Sequence, residues 1–113
     1  MKLAVERRGG ALIVRVQEAR IDASVAIAFK DAMRGATAGP EPRVVLDLAD
    51  VGFLDSSGLG AVVAVMKQLG PNRRLELAAL SPPVEKVFRL TRMDSVFRIH
   101  PAVPDAETLR HAS

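Results

Sequence analysis

Residues Arg43 to Leu69 read RVVLDLADVGFLDSSGLGAVVAVMKQL, and a change of period inside this stretch decides the fold. Val44, Val45, Leu46 and Leu48 form a short apolar run rich in β-branched residues, which suits a strand covered on both faces. Leu59, Val62, Val63, Met66 and Leu69 recur instead at i, i+3, i+4, i+7 and i+10, the period of a helix. Between the two lies Asp55-Ser56-Ser57-Gly58-Leu59-Gly60, a polar, glycine-rich turn. In open α/β sheets sites collect outside the carboxyl ends of the strands, so function is to be sought at this turn.

Upstream, Lys2 to Arg7 read as a first strand, and Gly9-Gly10 as the turn that reverses it. Leu12, Val14 and Val16 alternate with Ile13, Arg15 and Gln17, the pattern of a half-buried strand. Either Asp22 or Ser24 is then placed to cap a helix whose apolar face is Val25, Ala28, Phe29, Ala32, Met33 and Ala36. Gly35 and Gly39-Pro40 are its stop signals.

Downstream, Gly70-Pro71-Asn72 ends the second helix, and Leu75, Leu77 and Ala79 alternate as a strand. Ser81-Pro82-Pro83 has the form of a capped helix start, with Val84, Val87, Phe88 and Thr91 on one face. Val96 to Ile99 fit a short last strand. Asp105 to His111 fit a final turn or two of helix, capped by Asp105. The expected order is β-β-α-β-α-β-α-β-α. That is an α/β fold with a mixed, mostly parallel sheet and right-handed helical crossovers, in one domain over residues 1–113.

Composition narrows the function classes. A chain of 113 residues with 49% hydrophobic and 26% charged residues is ordinary globular material with room for one core. The absence of Cys excludes disulfides, thiolate metal sites and cysteine nucleophiles. With no Trp or Tyr and four Phe, the chain lacks the aromatic platforms of single-strand nucleic-acid binders. Its net charge of +3 is spread over pairs such as Arg7-Arg8 and Arg73-Arg74 rather than a basic run, so no direct nucleic-acid partner is expected. No apolar run is long enough to span a bilayer, and Glu6-Arg7-Arg8 interrupts any leader-like core. A cytoplasmic protein without membrane contact is expected.

Plain capping accounts for only part of the serine turn. One cap needs one side chain, yet Asp55, Ser56 and Ser57 supply three in a row. Gly58 and Gly60 cost helix propensity, about 1 kcal/mol each relative to Ala, and glycine keeps the surface above the hydroxyls low for an approaching protein. Catalysis is not expected. Neither serine has the glycine two residues before it that a nucleophile elbow requires, and no Gly-Lys-Ser/Thr phosphate loop is present. His100 and His111 are not placed by sequence to serve either serine as a base, and two isolated histidines make a poor metal site, so no metal and no cofactor are expected. Asp47 reads as a strand-end carboxylate bonded to a neighbouring loop.

Taken together, these residues resemble the STAS domain, specifically the small bacterial anti-sigma-factor antagonists. The resemblance rests on Arg20-Ile21-Asp22-Ala23, Val44 to Leu48, Phe53 to Gly60, Leu80 to Val84 and Leu90 to Phe97. It implies a non-enzymatic partner switch. The unphosphorylated form would bind an anti-sigma factor with serine kinase activity and release the sigma factor; a metal-dependent serine phosphatase would restore that form. Spacing alone leaves Ser56 and Ser57 open as phosphoacceptor, and motif position in the family implies Ser57. Asp22, Asp55, Ser56, Gly58, Leu59 and Gly60 would then form the partner surface. The alternative implied is a STAS accessory subunit docked on a lipid-transport ABC complex, its turn unphosphorylated. Ala19-Arg20 and Arg92 depart from the family pattern, Arg92 standing where relatives often carry Gly.

Overall fold

Gly9 and Gly10 both adopt positive φ and reverse the chain between β1 (Leu3–Arg8) and β2 (Ala11–Val16), an antiparallel hairpin with Arg8 opposite Ala11. The computed structural model describes residues 1–111. After β2 come β3 (Arg20–Ile21), α1 (Ala26–Ala36), β4 (Arg43–Asp47), β5 (Phe53–Leu54) and α2 (Ser56–Leu69). They are followed by β6 (Arg74–Ala78), α3 (Pro82–Leu90), a 3-10 turn at Met93–Ser95, β7 (Ile99–His100) and α4 (Ala106–His111). The main sheet has the order β1-β2-β4-β6-β7, parallel throughout except for the β1–β2 edge.

From β2 onward each crossover steps one strand in the same direction. Right-handed crossovers then place α1, α2 and α3 on one face. The core follows from the two-residue period of the strands: Leu12, Val14, Val44, Leu46, Leu75 and Leu77 face these helices. The opposite residues, Ala11, Ile13, Val45 and Ala78, pack beneath Leu109 of α4 and Val103. The hairpin, the three crossover helices and the mostly parallel sheet agree with the sequence reading; the two-residue strands β3 and β5 are additions to it.

Several local expectations are corrected. β2 is not half-buried: Ala11 to Val14 are buried on both faces because α4 and its lead-in cover the second one, leaving Arg15 exposed. Neither Asp22 nor Ser24 caps α1. Val25 holds the cap position without a side-chain bond, because the Asp22 carboxylate accepts from the Ser24 amide at 3.0 Å and hydroxyl at 2.5 Å, a turn before the helix. Gly35 lies inside α1. Ser81 precedes α3 as expected but its hydroxyl donates to the Val51 carbonyl (2.8 Å), tying the helix start to the β4–β5 connection instead of capping it.

The final strand is Ile99–His100, not Val96 to Ile99, since the 3-10 turn carries the chain past Val96 before it can pair. The buried side of α2 centres on Gly58, Ala61, Val62, Val65 and Leu69, while Leu59, Val63 and Met66 flank it. Small residues hid that stripe from a reading based on large apolar ones. Asp105 does cap α4, accepting from the Thr108 amide at 2.7 Å.

Candidate functional site

The site begins with a pair of strands too short to be read from sequence. β3 and β5 have two residues each and pair parallel, Arg20 beside Phe53 and Ile21 beside Leu54. Ile21 and Leu54 are buried, while Arg20 and Phe53 turn outward. The Arg20 guanidinium lies over the exposed Phe53 ring, 4.8 Å from its centroid. This small ribbon holds the chain on either side of it, Asp22–Ala23 and Asp55–Ser57, next to each other.

Asp55 joins the two. One carboxylate oxygen accepts from the Gly58 amide (2.8 Å), capping α2, and the other accepts from the Ala23 amide (3.2 Å) across the ribbon. The sequence signal for the cap was sound, and the second bond is what it could not give. The Leu59 amide turns back to the Asp55 carbonyl at 2.9 Å. The amides of Ser56 and Ser57 find no acceptor among the described residues, so the helix opens with two free donors beneath two exposed hydroxyls.

Asp22 is brought beside this turn by the ribbon, with its carboxylate held locally. Ser24 hydrogen bonds, assisted by Arg20 at 3.0 Å, lower its pKa from the ordinary range. It stays an anion there at neutral pH.

Glycine plays two different parts. Gly58 is buried, and a β-carbon on it would strike the Ile21 carbonyl oxygen, so the low surface is occupied by the protein's own β3 rather than left for a partner. Gly60 is exposed with open space around its α-carbon. Leu59 is half-buried against the core. The turn therefore presents Ser56, Ser57 and Gly60 outward, with Asp22 and Asp55 at its margin. Phe53 and Arg20 add outward-facing residues on the ribbon itself, and Ile27 is 71% exposed on α1, which packs against α2. No period over two residues could announce Phe53, and the one signal for Ile27 is that it is a large apolar residue off the apolar face of α1.

The other acids and histidines lie elsewhere. Asp47 accepts from the Ala49 amide at 3.0 Å, as a strand-end carboxylate should. His100 sits 2.7 Å from the Glu76 carboxylate on the sheet, and His111 ends α4. Among the described residues, no group of three or more metal-binding side chains converges and no helix is long and apolar enough to cross a membrane.

The geometry has counterparts. BtrV of Bordetella bronchiseptica, whose name marks it as a candidate anti-sigma factor antagonist, is 32% identical over 100 residues, 88% of this chain and 85% of its own. The crystal structure of an anti-sigma factor antagonist from Mycobacterium paratuberculosis is 32% identical with a TM-score of 0.82, covering 95% of this chain and 91% of that one. The phosphorylated form of the Bacillus cell fate determinant SpoIIAA shares the fold at 19% identity and a TM-score of 0.66, over 99% of this chain and 100% of its own. A model of the STAS domain matches residues 2–106. With the β2-to-β7 crossovers, the two-residue ribbon and the serine turn all in place, this chain belongs to the STAS domain family.

Proposed function

We propose that this protein is an anti-sigma-factor antagonist whose binding is switched by phosphorylation of Ser57. The observation that carries the reading is the pair of exposed hydroxyls at the start of α2, above two unbonded amides. It is supported by the 32% identity, over most of both chains, to a protein named an anti-sigma factor antagonist. The partners proposed are an anti-sigma factor with serine kinase activity and a metal-dependent serine phosphatase. Asp22, Asp55, Ser56, Leu59 and Gly60 would frame the contact, with Gly58 holding the turn against β3. The domain would act without catalysis of its own.

The switch follows from charge. A phosphate at Ser57 adds about −1.5 to −2 charge at neutral pH, beside the Asp55 and Asp22 carboxylates. The free amides and helix dipole stabilise that charge locally, so the fold persists. A partner packed on bare hydroxyls would have to accommodate a solvated dianion next to two acids. Losing about 3 kcal/mol of interface energy weakens binding roughly a hundredfold, with no movement of the domain required.

The test is a pull-down from native lysate with the unmodified protein, followed by ATP addition and intact-mass analysis. Recovery of a kinase-type anti-sigma factor, and one phosphate mapped to Ser57, is the expected result. Recovery of lipid-transport subunits with no mass change would overturn the switch and make the domain a docking subunit.

A further inference from the structure

At the other end of α2 from Ser57, the sheet has an unfinished edge. β6 is paired with β7 only at Leu77 and Ala78, so its first half, Arg74 to Glu76, has no strand beside it on that side. The direction of its hydrogen bonds fixes what that edge offers. The Leu77 and Ala79 amides donate outward to the Arg98 and His100 carbonyls, and the Arg74 amide donates the opposite way, to Pro42 of the β4 side. By the two-residue period, the Leu75 amide points outward too, where no strand stands.

A groove of about 380 Å³ runs along this edge, with Met66, Leu75 and Val96 as its apolar lining and Arg73, Arg74 and Arg98 as its cations. The one acid in it, Glu76, is already bound by Arg43 and His100 at 2.7–2.9 Å. Arg74 reaches Glu76 only at 3.7 Å. Arg73 gives two donors to the Glu41 and Thr37 carbonyls and keeps a buried third nitrogen without a partner. Neither Arg73 nor Arg98 forms an ion pair among the described residues.

We propose that this groove is a second docking surface, and that its occupant is an extended acidic segment of a partner protein. Such a segment would add a strand to the free half of β6, set apolar residues on Met66, Leu75 and Val96, and place carboxylates against Arg74 and Arg98. A peptide fits better than a nucleic acid or a lipid surface. The free edge offers backbone donors and acceptors in the spacing of a strand, which an extended chain matches in register, and the groove has no aromatic side chain on which a base would stack. α2 has 14 residues, so the groove lies about 21 Å from the serine turn. Binding there and binding at Ser57 can proceed together, and the proposal stands whether or not Ser57 is phosphorylated.

The experiment titrates the isotope-labelled protein with a short blocked peptide of alternating glutamate and leucine, read by amide chemical shifts. The expected result is movement of Leu75, Arg74, Val96 and Arg98 that fades with added salt and leaves Ser56 and Ser57 still. Arg98→Glu, at an exposed position, should keep the fold and weaken binding by about tenfold. Ser57→Asp should bind the peptide as the parent does. An absence of shifts in the groove, equal binding of the lysine–leucine counterpart, or an unaltered affinity in Arg98→Glu would overturn the proposal. So would stronger response of the same residues to an oligonucleotide or to anionic vesicles.

Discussion

Gly58 and Ile21 meet backbone to backbone: a β-carbon on Gly58 would strike the Ile21 carbonyl oxygen and lie 2.9 Å from its carbon. This contact sets how closely the first turn of α2 can approach β3, and so how closely the serines approach Asp22. The same stretch contains Gly60, whose missing side chain faces open space. Two glycines two residues apart therefore have opposite consequences.

Gly58→Ala should destabilise the fold even though alanine is the better helix former. The collision involves backbone on both sides, so one element must move, at a cost of about 2 kcal/mol or more after the roughly 1 kcal/mol of propensity gain is counted. Gly60→Ala should instead stabilise by up to about 1 kcal/mol. Urea denaturation of the two variants checks this. Equal effects would mean that the close approach to Ile21 relaxes freely.

Asp55→Ala removes a cap and a tie in one change. Loss of the bond to the Gly58 amide alone should cost about 1 kcal/mol, and the bond to Ala23 adds to it. Faster hydrogen exchange is expected at both Gly58 and Ala23, although α1, β4 and β5 lie between them in sequence. Acceleration confined to Gly58 would show that Asp55 only caps.

How far this was legible in sequence depended on the length of each signal. The central strand and α2 were readable because their periods run over many residues, and the crossovers follow from their alternation. β3 and β5 have two residues each, so no period can announce them; their pairing is enforced by Ile21 and Leu54 burying together. The serine turn itself stood out by composition. Its burial side did not, because Gly58 and Ala61 carry no hydrophobic signal while lying at the centre of the packed face.

Arg92 follows the Thr91 cap of α3 at φ 59° and ψ 19°, in the left-handed region that favours glycine. A non-glycine residue there costs about 1–2 kcal/mol of conformational energy. Glycine would relieve it while adding about 0.5–1 kcal/mol of unfolded-state entropy. Arg92→Gly should therefore raise stability by roughly 0.5 kcal/mol, seen as a small increase in Tm. A fall would mean that the arginine side chain contributes a contact of its own.

Glu76 is buried on the sheet beneath α4, held by Arg43 at 2.8 and 2.9 Å and His100 at 2.7 Å, while Arg43 also reaches the Leu109 carbonyl. Burial pushes its pKa up, but the bonds from Arg43 and His100 outweigh this and hold it at about 2, against an ordinary 4.5. The unfolded chain thus takes up the proton first. Stability from this group is complete above pH 4.5 and is lost as pH falls toward 2, on the order of 3 kcal/mol in all. Glu76→Gln should cost a similar amount at neutral pH and flatten the fall of stability between those pH values. An unchanged acid slope would place the acid sensitivity in other carboxylates.

Ser57 separates the proposed switch from a purely structural turn. Ser57 is the second residue of α2 and exposed, and its hydroxyl is no part of the cap, which Asp55 supplies. Ser57→Asp should therefore shift stability by less than about 1 kcal/mol, the scale of a cap, while weakening capture of the anti-sigma factor by the charge it adds. Ser57→Ala should keep capture and block phosphate incorporation. Because Ser56 is exposed as well, full-rate modification of Ser57→Ala would move the phosphoacceptor one residue back. A collapse of Tm in Ser57→Asp would mean that the hydroxyl holds the turn together, and the argument from charge would lose its footing.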